Sequence, residues 1–582
     1  MAHATLLSNG RIVDGTPRPG WVGDLLIEGD RITALAPHGQ IAPAALARAR
    51  ACEHFTEVDC TGRVIAPGFI DVHTHDDAAV LDAPTMLPKL SQGITTVIVG
   101  NCGISLAPVV TDSPLAPLSL LGRLQFRHAS MADYARAVDA AQPAVNVAAL
   151  MGHTALRMRH LADLRQTATT DERAAMAADM EEAMAAGALG LSSGIFYSEA
   201  YAADVEELVA VASVAARHGG VYATHVRDEL AGILPALQEA ALTARQSGLP
   251  LVISHHKCAG PANWGRTRET LPLIDQLAQQ QEIAMDVYPY TAGSTVLRED
   301  LVDGIIDILI TGSQPHPEMA GRYLADIARE WGVPQQEAAV RLKPGGACYF
   351  QMREDDVRRV IAHPLSMIGS DGLPHDERPH PRLWGAFARV LAHYCRDEQL
   401  ISLPQAIHKM TGLSAARYGL TDRGVLREGA FADLVLHEED AALHGFVAAL
   451  RDRGVATESV FLDLLAPVAR YLGELWERDL CSFTEVTCGL ALMHQVTYRL
   501  GYEFRDGPQA EGLQAHVMLC CAPGSMHFLG ATIVADLFRR EGATVVIEIS
   551  STEQELVRAA ANEWFDVIGI SVAIETQLQS LP

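Results

Sequence analysis

The chain has 582 residues, of which 49% are hydrophobic and 20% charged, and its net charge is −26. Length and composition predict a folded globular protein of several domains, and the acidic balance argues against nonspecific nucleic-acid binding. There is no N-terminal secretory signal pattern and no apolar run of about 18 residues, so we expect no membrane partner. Ten cysteines without regular spacing indicate reduced thiols, which predicts a cytoplasmic location.

Residues 1–62 predict a small β lobe. Short apolar stretches at 4–7 and 24–28 are separated by Gly and Pro, and a third stretch at 30–33 follows Gly29. This pattern is typical of strands joined by tight turns. The Ala- and Arg-rich piece at 43–51 predicts either a helical insertion or a mobile loop.

From Val64 onward, apolar strands alternate with amphipathic helices, among them 171–186, 205–218 and 232–247. Eight such strands predict a (β/α)8 TIM barrel at 63–409, with its active site at the carboxyl ends of the strands. An insertion at about 297–361 has its own helical pattern at 319–331 and is long enough to form a lid. The predicted strands are 64–72, 95–100, 145–151, 188–192, 220–224, 251–254, 283–288 and 366–370.

Residues that can bind a metal follow several of these strands. His73 and His75 are spaced i, i+2, so an extended segment directs both imidazoles to one side. Taken singly, Cys102 could be a core thiol and His225 a hydrogen-bonded structural residue. At one end of one barrel, however, two nitrogens and a thiolate suit a zinc ion with an open position for water. The strand-end residues are His73, His75, Cys102, His225, His255, His256, Lys257 and Asp371.

Eight motifs extend from the first predicted strand to the last. They are APGFIDVHTHDD (66–77), SQGITTVIVGNCGIS (91–105), GALGLSSGIFY (187–197), YATHVRDE (222–229), ISHHKCAGPANWG (253–265), DVYPYTAGST (286–295), GSDGLPHD (369–376) and PHPRLWG (379–385). With these motifs, residues 1–436 resemble the N-acyl-D-amino-acid deacylases (D-aminoacylases) of the amidohydrolase superfamily. The resemblance implies zinc-dependent hydrolysis of the amide bond of N-acyl-D-amino acids, which gives a carboxylate and a free D-amino acid. Residues 429–436 also match and imply that 410–436 returns to the β lobe, a small β-sandwich.

The resemblance also implies roles for the strand-end residues. The implied ligands of a tightly bound zinc are Cys102, His225 and His255. His73 and His75 would flank a second, weaker metal position that shares Cys102. Asp371 would be the catalytic acid/base, because an ionised carboxylate can take a proton from water and pass it to the leaving amine. We expect His256 to point away from the metal, since neighbours in a strand face opposite sides.

The free carboxylate of such a substrate requires cationic or hydroxyl donors. Lys257 and Arg382 are the best candidates, with Tyr197, Tyr288 and Ser294 as additional hydrogen-bond donors. The alternative for Arg382 is a structural ion pair.

The deacylase pattern stops after residue 436. We predict a helical cap-like segment at 437–510 and a partial Rossmann-like α/β domain at 511–582, with strands at 515–524, 544–549 and 566–572. FLDLLAPVARYLGELWERDLCSFTEVT (461–487) and CAPGSMHFLGATIVADLFRREG (521–542) resemble a truncated cobalamin-binding domain with its helical cap. That resemblance implies His527 as the lower ligand of the cobalt; alternatively, His527 caps or lines the start of a helix. A doubly wound sheet of this kind has about five strands, whereas three fit between 515 and 582. We therefore interpret the junction near 437 as a gene fusion, an assembly artefact or an engineered junction.

Three functions are compatible with the sequence. The first is the deacylase acting on a small-molecule substrate, which the full set of ligand and acid/base residues favours. The second is a cobalamin-binding regulatory protein with a passenger barrel. The third is a hydrolase that cleaves a different amide bond, that of D-dipeptides or cyclic amides. Oligomeric state is left open.

Overall fold

The computed structural model describes residues 3–122 and 125–438 and, beyond them, 467–468, 471, 515–521, 531, 534–535, 538–539, 542–548, 557 and 564–571. The chain divides into two compact units, Met1–Glu438 and Glu439–Pro582. Most of the predicted helical segment at 437–510, and the predicted cobalamin ligand His527, lie outside the described residues.

The described residues of the first unit form eighteen strands. In chain order they are β1 (His3–Ile12), β2 (Trp21–Glu28), β3 (Arg31–Pro37), β4 (His54–Asp59), β5 (Arg63–Pro67), β6 (Phe69–Asp71), β7 (Ile94–Val99), β8 (Asn146–Ala149), β9 (Met151–Gly152), β10 (Gly190–Gly194), β11 (Val221–His225), β12 (Leu251–Ile253), β13 (Ile283–Val287), β14 (Gly293–Val296), β15 (Ile308–Ser313), β16 (Gly345–Tyr349), β17 (Ser366–Ile368) and β18 (Leu434–Glu438).

In the same described part of the chain there are fifteen α-helices. In chain order they are α1 (Pro43–Arg50), α2 (Ala79–Asp82), α3 (Leu87–Leu90), α4 (Met131–Ala141), α5 (His153–His160), α6 (Thr170–Ala185), α7 (Val205–Arg217), α8 (Ile233–Ser247), α9 (Thr267–Ala278), α10 (Leu324–Trp331), α11 (Gln335–Leu342), α12 (Glu354–Ala362), α13 (Arg382–Arg389), α14 (Leu403–Met410) and α15 (Gly412–Arg417). Short 3₁₀ turns lie at Leu118–Leu121, Pro261–Asn263, Glu299–Leu301 and Pro317–Met319, and a π-helical segment at Val390–Asp397 continues α13.

The small lobe is a six-stranded sheet in the order β18-β5-β1-β2-β3, with β4 paired to the first half of β1. Apolar clusters cover both faces of this sheet. The Ala- and Arg-rich piece is helix α1, so the helical alternative is confirmed.

The single strand predicted at 64–72 is wrong, because the chain passes from the lobe to the barrel at Gly68. The N–H of Gly68 donates to the Asp433 carbonyl at 2.8 Å, which ties this point to the lobe. A Cβ on Gly68 would lie 2.1 Å from Thr95 Oγ1. Only glycine permits this close approach, so β5 belongs to the lobe and β6 to the barrel.

The barrel strands are parallel and follow one another in chain order: β6, β7, β8 with β9, β10, β11, β12, β13 and β17. Leu150 separates β8 from β9, and its N–H donates to the Val99 carbonyl at 2.9 Å. Just beyond the ends of β17 and β6, the Asp371 N–H donates to the His73 carbonyl at 2.6 Å. The last strand thus meets the first at the carboxyl edge, and the predicted (β/α)8 architecture is confirmed.

The predicted barrel helices correspond to α6, α7 and α8. Helix α6 begins after Thr169, whose side chain accepts from the Glu172 N–H while the Glu172 carboxylate accepts from Thr169, a reciprocal capping box. Asp204 caps α7 by accepting from the Glu207 N–H. These caps fix where each helix begins, and the predictions agree with the observed bounds to within one residue.

The insertion between β13 and β17 has its own core. Its sheet is antiparallel in the order β14-β16-β15, and residues including Ile310, Leu324 and Leu342 pack in a separate apolar cluster. The helix predicted at 319–331 is shorter than expected and covers Leu324–Trp331, because Gly321 has a φ of +88° and breaks the pattern. The insertion also begins earlier than the predicted residue 297, since β14 already starts at Gly293.

In the second unit, three parallel strands are described: β19 (His516–Cys521), β20 (Thr544–Glu548) and β21 (Val567–Ser571). Their order is β20-β19-β21, so the first strand is central, as in a doubly wound sheet. Strands at these three places were predicted from the sequence, and they are confirmed. None of the helices in the described part of the chain has both the length and the apolar character needed to span a bilayer.

Candidate active site

The predicted strand-end residues come together at the carboxyl edge of the barrel. All of them are buried: His73 and His75 after β6, Cys102 after β7, His225 at the end of β11, His255 after β12 and Asp371 after β17. Three triplets each offer ligand atoms that lie within 4.8 Å of one another. They are His73-His75-Cys102, Cys102-His225-His255 and His73-His255-Asp371.

The Cys102 sulfur is at the centre of this group. It lies 3.2 Å from His73 Nε2 and 3.4 Å from His255 Nε2. Within the described residues, neither ring nitrogen of the buried His225 has a hydrogen-bond partner. A buried imidazole without a partner is costly, and a metal ion would satisfy it. Two imidazole nitrogens and one thiolate form a donor set that suits zinc.

Three of these residues have unusual backbone conformations. Cys102, His255 and Asp371 have φ values of +54°, +35° and +48°, in the left-handed region that non-glycine residues rarely adopt. Such strain persists only where the surrounding structure imposes it, and it concentrates at functional sites. Here it turns each side chain toward the common centre immediately after a strand.

The charges of the site favour an ionised thiol and an ionised carboxyl group. Burial would raise the pKa of Cys102, but the imidazoles of His73 and His255 outweigh it and hold this pKa well below its usual value. Burial would likewise raise the pKa of Asp371, but the Arg382 guanidinium and the His73 imidazole hold it well below the ordinary range. The thiolate is the form of cysteine that binds metals.

Two carboxylates orient the imidazoles. Asp286 Oδ1 lies 3.2 Å from His73 Nδ1, and Glu229 Oε1 lies 3.1 Å from His255 Nδ1. The Nε2 atom of each ring therefore faces Cys102, an arrangement common around metal-binding histidines. Sequence reasoning missed both carboxylates. Each lies in one of the eight motifs, and Asp286 is the acidic residue of β13, whose five residues are all buried.

The five predicted substrate-binding residues line one cavity together with His75, His225, Glu229 and Asp371; they are Tyr197, Lys257, Tyr288, Ser294 and Arg382. Apolar side chains complete much of its wall, namely Leu120, Phe196, Leu301 and Leu373. The Tyr288 ring lies near both cations, with its centroid 5.8 Å from Lys257 Nζ and 4.7 Å from the Arg382 guanidinium carbon.

Both cations also have protein partners. Lys257 Nζ lies 2.5 Å from Glu229 Oε1 and 2.7 Å from His255 Nδ1. Arg382 Nη1 lies 2.8 Å from Asp371 Oδ2, and its Nη2 donates to the Ser294 carbonyl at 2.8 Å. Arg382 thus makes the ion pair that the sequence left open as the alternative, and it does so while lining the cavity.

The Ser294 hydroxyl donates to Asp376 Oδ2 at 3.4 Å, and the Tyr197 hydroxyl lies 3.2 Å from Thr295 Oγ1. His256 points away from the site as expected, with Nε2 2.8 Å from Thr270 Oγ1. Ser294 and Thr295 belong to β14, so the insertion supplies part of the cavity wall.

Comparison with known proteins gives two family matches. The model of the amidohydrolase family matches residues 56–340 and 335–444. The model of the B12-binding domain matches residues 515–582.

Individual relatives match the first unit. A D-aminoacylase of Alcaligenes xylosoxydans xylosoxydans is 49% identical over 434 residues, which are 74% of this chain and 87% of the relative. An N-acyl-D-aspartate deacylase of the same organism is 47% identical over 437 residues, covering 74% and 85%. The solved N-acyl-D-glutamate deacylase of Bordetella bronchiseptica, in complex with zinc and a phosphonate that mimics the tetrahedral intermediate, is 44% identical. Its TM-score is 0.71, over 75% of this chain and 90% of that one.

Proposed function

The chain belongs to the amidohydrolase family, and from this membership we propose that it hydrolyses the amide bond of N-acyl-D-amino acids, releasing a carboxylate and a free D-amino acid. The observation that carries the proposal is the convergence of Cys102, His225 and His255 beside Asp371 in a cavity with two cations. Identity above 40% to a D-aminoacylase, an N-acyl-D-aspartate deacylase and an N-acyl-D-glutamate deacylase supports the reaction class.

Cys102, His225 and His255 hold the tightly bound zinc ion in this proposal. His73 and His75, together with Cys102, form a second and weaker position. A zinc ion held there supplies an activated water and polarises the amide carbonyl. The low pKa of Cys102 supports this ligand set, as does the lack of a hydrogen bond to either His225 nitrogen among the described residues.

Asp371 is the acid/base. Its carboxylate is ionised, so it accepts a proton from the attacking water and then donates that proton to the nitrogen of the leaving amine. An amine leaves readily only when it is protonated, so one group performs both transfers. The Asp371 Oδ1 atom lies 3.3 Å from His75 Nε2 and 3.6 Å from His73 Nε2, which supports an acid/base placed directly at the ligand cluster.

Lys257 and Arg382 bind the carboxylate of the substrate, with hydroxyl groups of Tyr197, Tyr288 and Ser294 as further donors. A guanidinium can hold a carboxylate through two parallel hydrogen bonds. Arg382 Nε is buried and has no hydrogen-bond partner in the described part of the chain, which supports a role in binding an anion.

The test is a chirality-resolved assay of the purified full chain. Metal-depleted protein, with and without added zinc, is incubated with N-acetyl-D-leucine and N-acetyl-L-leucine, and the free amino acid is quantified. We expect zinc-dependent release of the D-amino acid alone. Release from D-dipeptides or cyclic amides, with none from the N-acyl-D-amino acids, would assign the site to a different amide bond.

A second activity is favoured by the B12-binding match at 515–582 and by the parallel order β20-β19-β21. We propose that the C-terminal unit binds cobalamin with His527 as the lower ligand of the cobalt. The full chain and its H527A variant are incubated with cobalamin and desalted, and the corrin absorbance is recorded. Retention by the full chain and loss in the variant support the proposal. Absence of corrin from the full chain contradicts it, and with it the regulatory alternative.

A further inference from the structure

A buried lysine lies directly beneath the candidate active site. Lys89 belongs to the short helix α3, and its side chain is inaccessible to solvent. Four polar groups surround its ammonium group: Asp71 Oδ2 at 2.8 Å, Thr74 Oγ1 at 2.9 Å, Ser370 Oγ at 2.9 Å and Asp76 Oδ2 at 3.0 Å. All four belong to the chain segments that carry His73, His75 and Asp371.

These partners are themselves linked to the backbone of the site. Asp71 Oδ1 accepts from the Ser370 N–H at 2.8 Å and from the His73 N–H at 3.4 Å. Ser370 Oγ accepts from the Gly372 N–H at 3.1 Å. Each partner is thus one or two residues away from a proposed ligand or from the acid/base, and Lys89 joins the two chain segments through side-chain contacts.

The junction held by Lys89 is where the first barrel strand meets the last. Strands β6 and β17 have only three residues each, and they belong to different hydrogen-bonded sheets. Their segments meet beyond the strand ends, through the bond from the Asp371 N–H to the His73 carbonyl and the bond from the His75 N–H to the Gly372 carbonyl at 3.1 Å. A regular ladder therefore does not fix the spacing of these segments.

We infer that Lys89 is a positioning residue, which fixes Asp371 at its working distance from the His73-His75 pair. This inference rests on the proposed function, because it assigns Asp371 the proton transfers. A buried ion pair contributes little net stability, since desolvation of its charges offsets their attraction. The Lys89 cluster instead sets the relative position of the two chain segments, because four partners around one ammonium group determine where these segments meet. A misplacement of about 1 Å in an active site lowers the rate about 10²-fold.

Lys409, in helix α14, is a matched control that contacts the same last strand. It is also buried, with 5% of its surface exposed, and its Nζ donates to the backbone carbonyls of His363 and, at 3.1 Å, Ser366. Ser366 begins β17, whereas Ser370 and Asp371 follow its end. Lys409 therefore fixes the opposite end of the strand and contacts no residue of the candidate site.

The experiment compares K89M and K409M with wild type in kcat, KM, zinc content and thermal midpoint. Both variants lose a buried ammonium group, so we expect both to unfold at lower temperature. We expect kcat of K89M to fall about 10²-fold, with a much smaller change in KM and with the zinc content of wild type, because Lys89 contacts neither Cys102, His225 nor His255. K409M should keep the kcat of wild type.

S370A keeps the test decisive if K89M does not fold. It removes the hydroxyl that links Lys89 to the last strand without changing any charge, and we expect a lower kcat with little change in KM. The inference would be overturned if S370A and folded K89M both kept the kcat of wild type. It would also be overturned if K409M lost as much kcat as K89M. Wild-type protein that releases no D-amino acid would instead overturn the proposed function, so the two failures are distinguishable.

Discussion

Arg382 Nη1 lies 2.8 Å from Asp371 Oδ2, so the cation proposed to bind the carboxylate of the substrate touches the proposed acid/base. One side chain therefore connects recognition of the substrate with proton transfer. The contact also helps to keep the buried Asp371 ionised, because the positive charge of Arg382, together with the His73 and His75 imidazoles, outweighs the cost of desolvation.

Replacing Arg382 should impair both binding and turnover. We expect R382M to lower kcat/KM by about 10- to 100-fold, the equivalent of the 1.5–3 kcal/mol typical of a hydrogen bond to a charged group. Arg389, on the same helix, donates to the Pro289 carbonyl at 2.7 Å and lies outside the cavity. R389M is therefore the matched control. If steady-state kinetics show as large a loss of kcat/KM in R389M as in R382M, the assignment of Arg382 is contradicted.

Removing the acid/base should separate metal binding from catalysis. D371N keeps the size of the side chain but cannot take up the proton, so we expect kcat to fall by about 10²- to 10⁴-fold. Its zinc content should equal that of wild type, because the three proposed ligands are intact. Zinc content and kcat are measured on the same preparation of D371N. A kcat equal to that of wild type would show that Asp371 is not the acid/base.

Removing the Cys102 thiolate should abolish both metal binding and catalysis. We expect C102A to lose its zinc and its activity, since Cys102 contacts the imidazoles on both sides of the site. In wild type, chelation should abolish activity and added zinc should restore it. C60A is the control, because Cys60 is equally buried but lies in the lobe. Zinc binding by C102A at wild-type affinity would contradict the proposed ligand set.

Among acyl amino acids, we expect preference for an apolar D-side chain. Leu120, Phe196, Leu301 and Leu373 form the uncharged part of the wall, and burial of a second carboxylate there has no compensating charge. Arg298, whose guanidinium carbon lies 4.1 Å from the centroid of the Phe196 ring, is already paired with Asp300 at 2.5 Å. The kcat/KM of N-acetyl-D-leucine should exceed those of the D-aspartate and D-glutamate derivatives, and the reverse order would contradict this prediction.

A buried carboxylate in helix α7 predicts acid-sensitive stability. Glu207 accepts from His153 Nε2 at 3.0 Å and from the Ala168 N–H at 2.8 Å, and it pairs with Arg157. Burial raises its pKa, but these partners outweigh burial and lower it to about 2. Because the folded-state pKa lies below the unfolded value, the stabilisation is complete above about pH 4.5 and is lost as pH falls toward 2.

We therefore expect E207Q to be about 3 kcal/mol less stable than wild type at pH 7, with a difference that narrows below about pH 4.5. Urea unfolding at pH 7, 5 and 3.5 measures this difference. E206Q, one residue earlier and exposed to solvent, should show almost none. If the difference in unfolding free energy between E207Q and wild type stayed constant with pH, the stabilisation proposed for the ionised Glu207 would be excluded.

Local patterns predicted much of the fold. The capped helices α6 and α7 were predicted almost to the residue, because Thr169 and Asp204 satisfy the first N–H groups from within the same segment. The transition at Gly68 was missed, since the reason for it is the approach of Thr95, 27 residues along the chain. The early start of the insertion at β14 depends in the same way on pairing with β16, which is distant in sequence.

The motifs alone show which residues can bind a metal and that each follows a strand, because strand-end position and donor chemistry are local properties. How these residues are held becomes visible only in the folded chain, where Glu229 and Asp286 lie behind the imidazoles, Arg382 contacts Asp371, and Lys89 lies between the first and last strands. These contacts join residues from separate segments, and their distances depend on closure of the barrel, which brings the two ends of the strand order together.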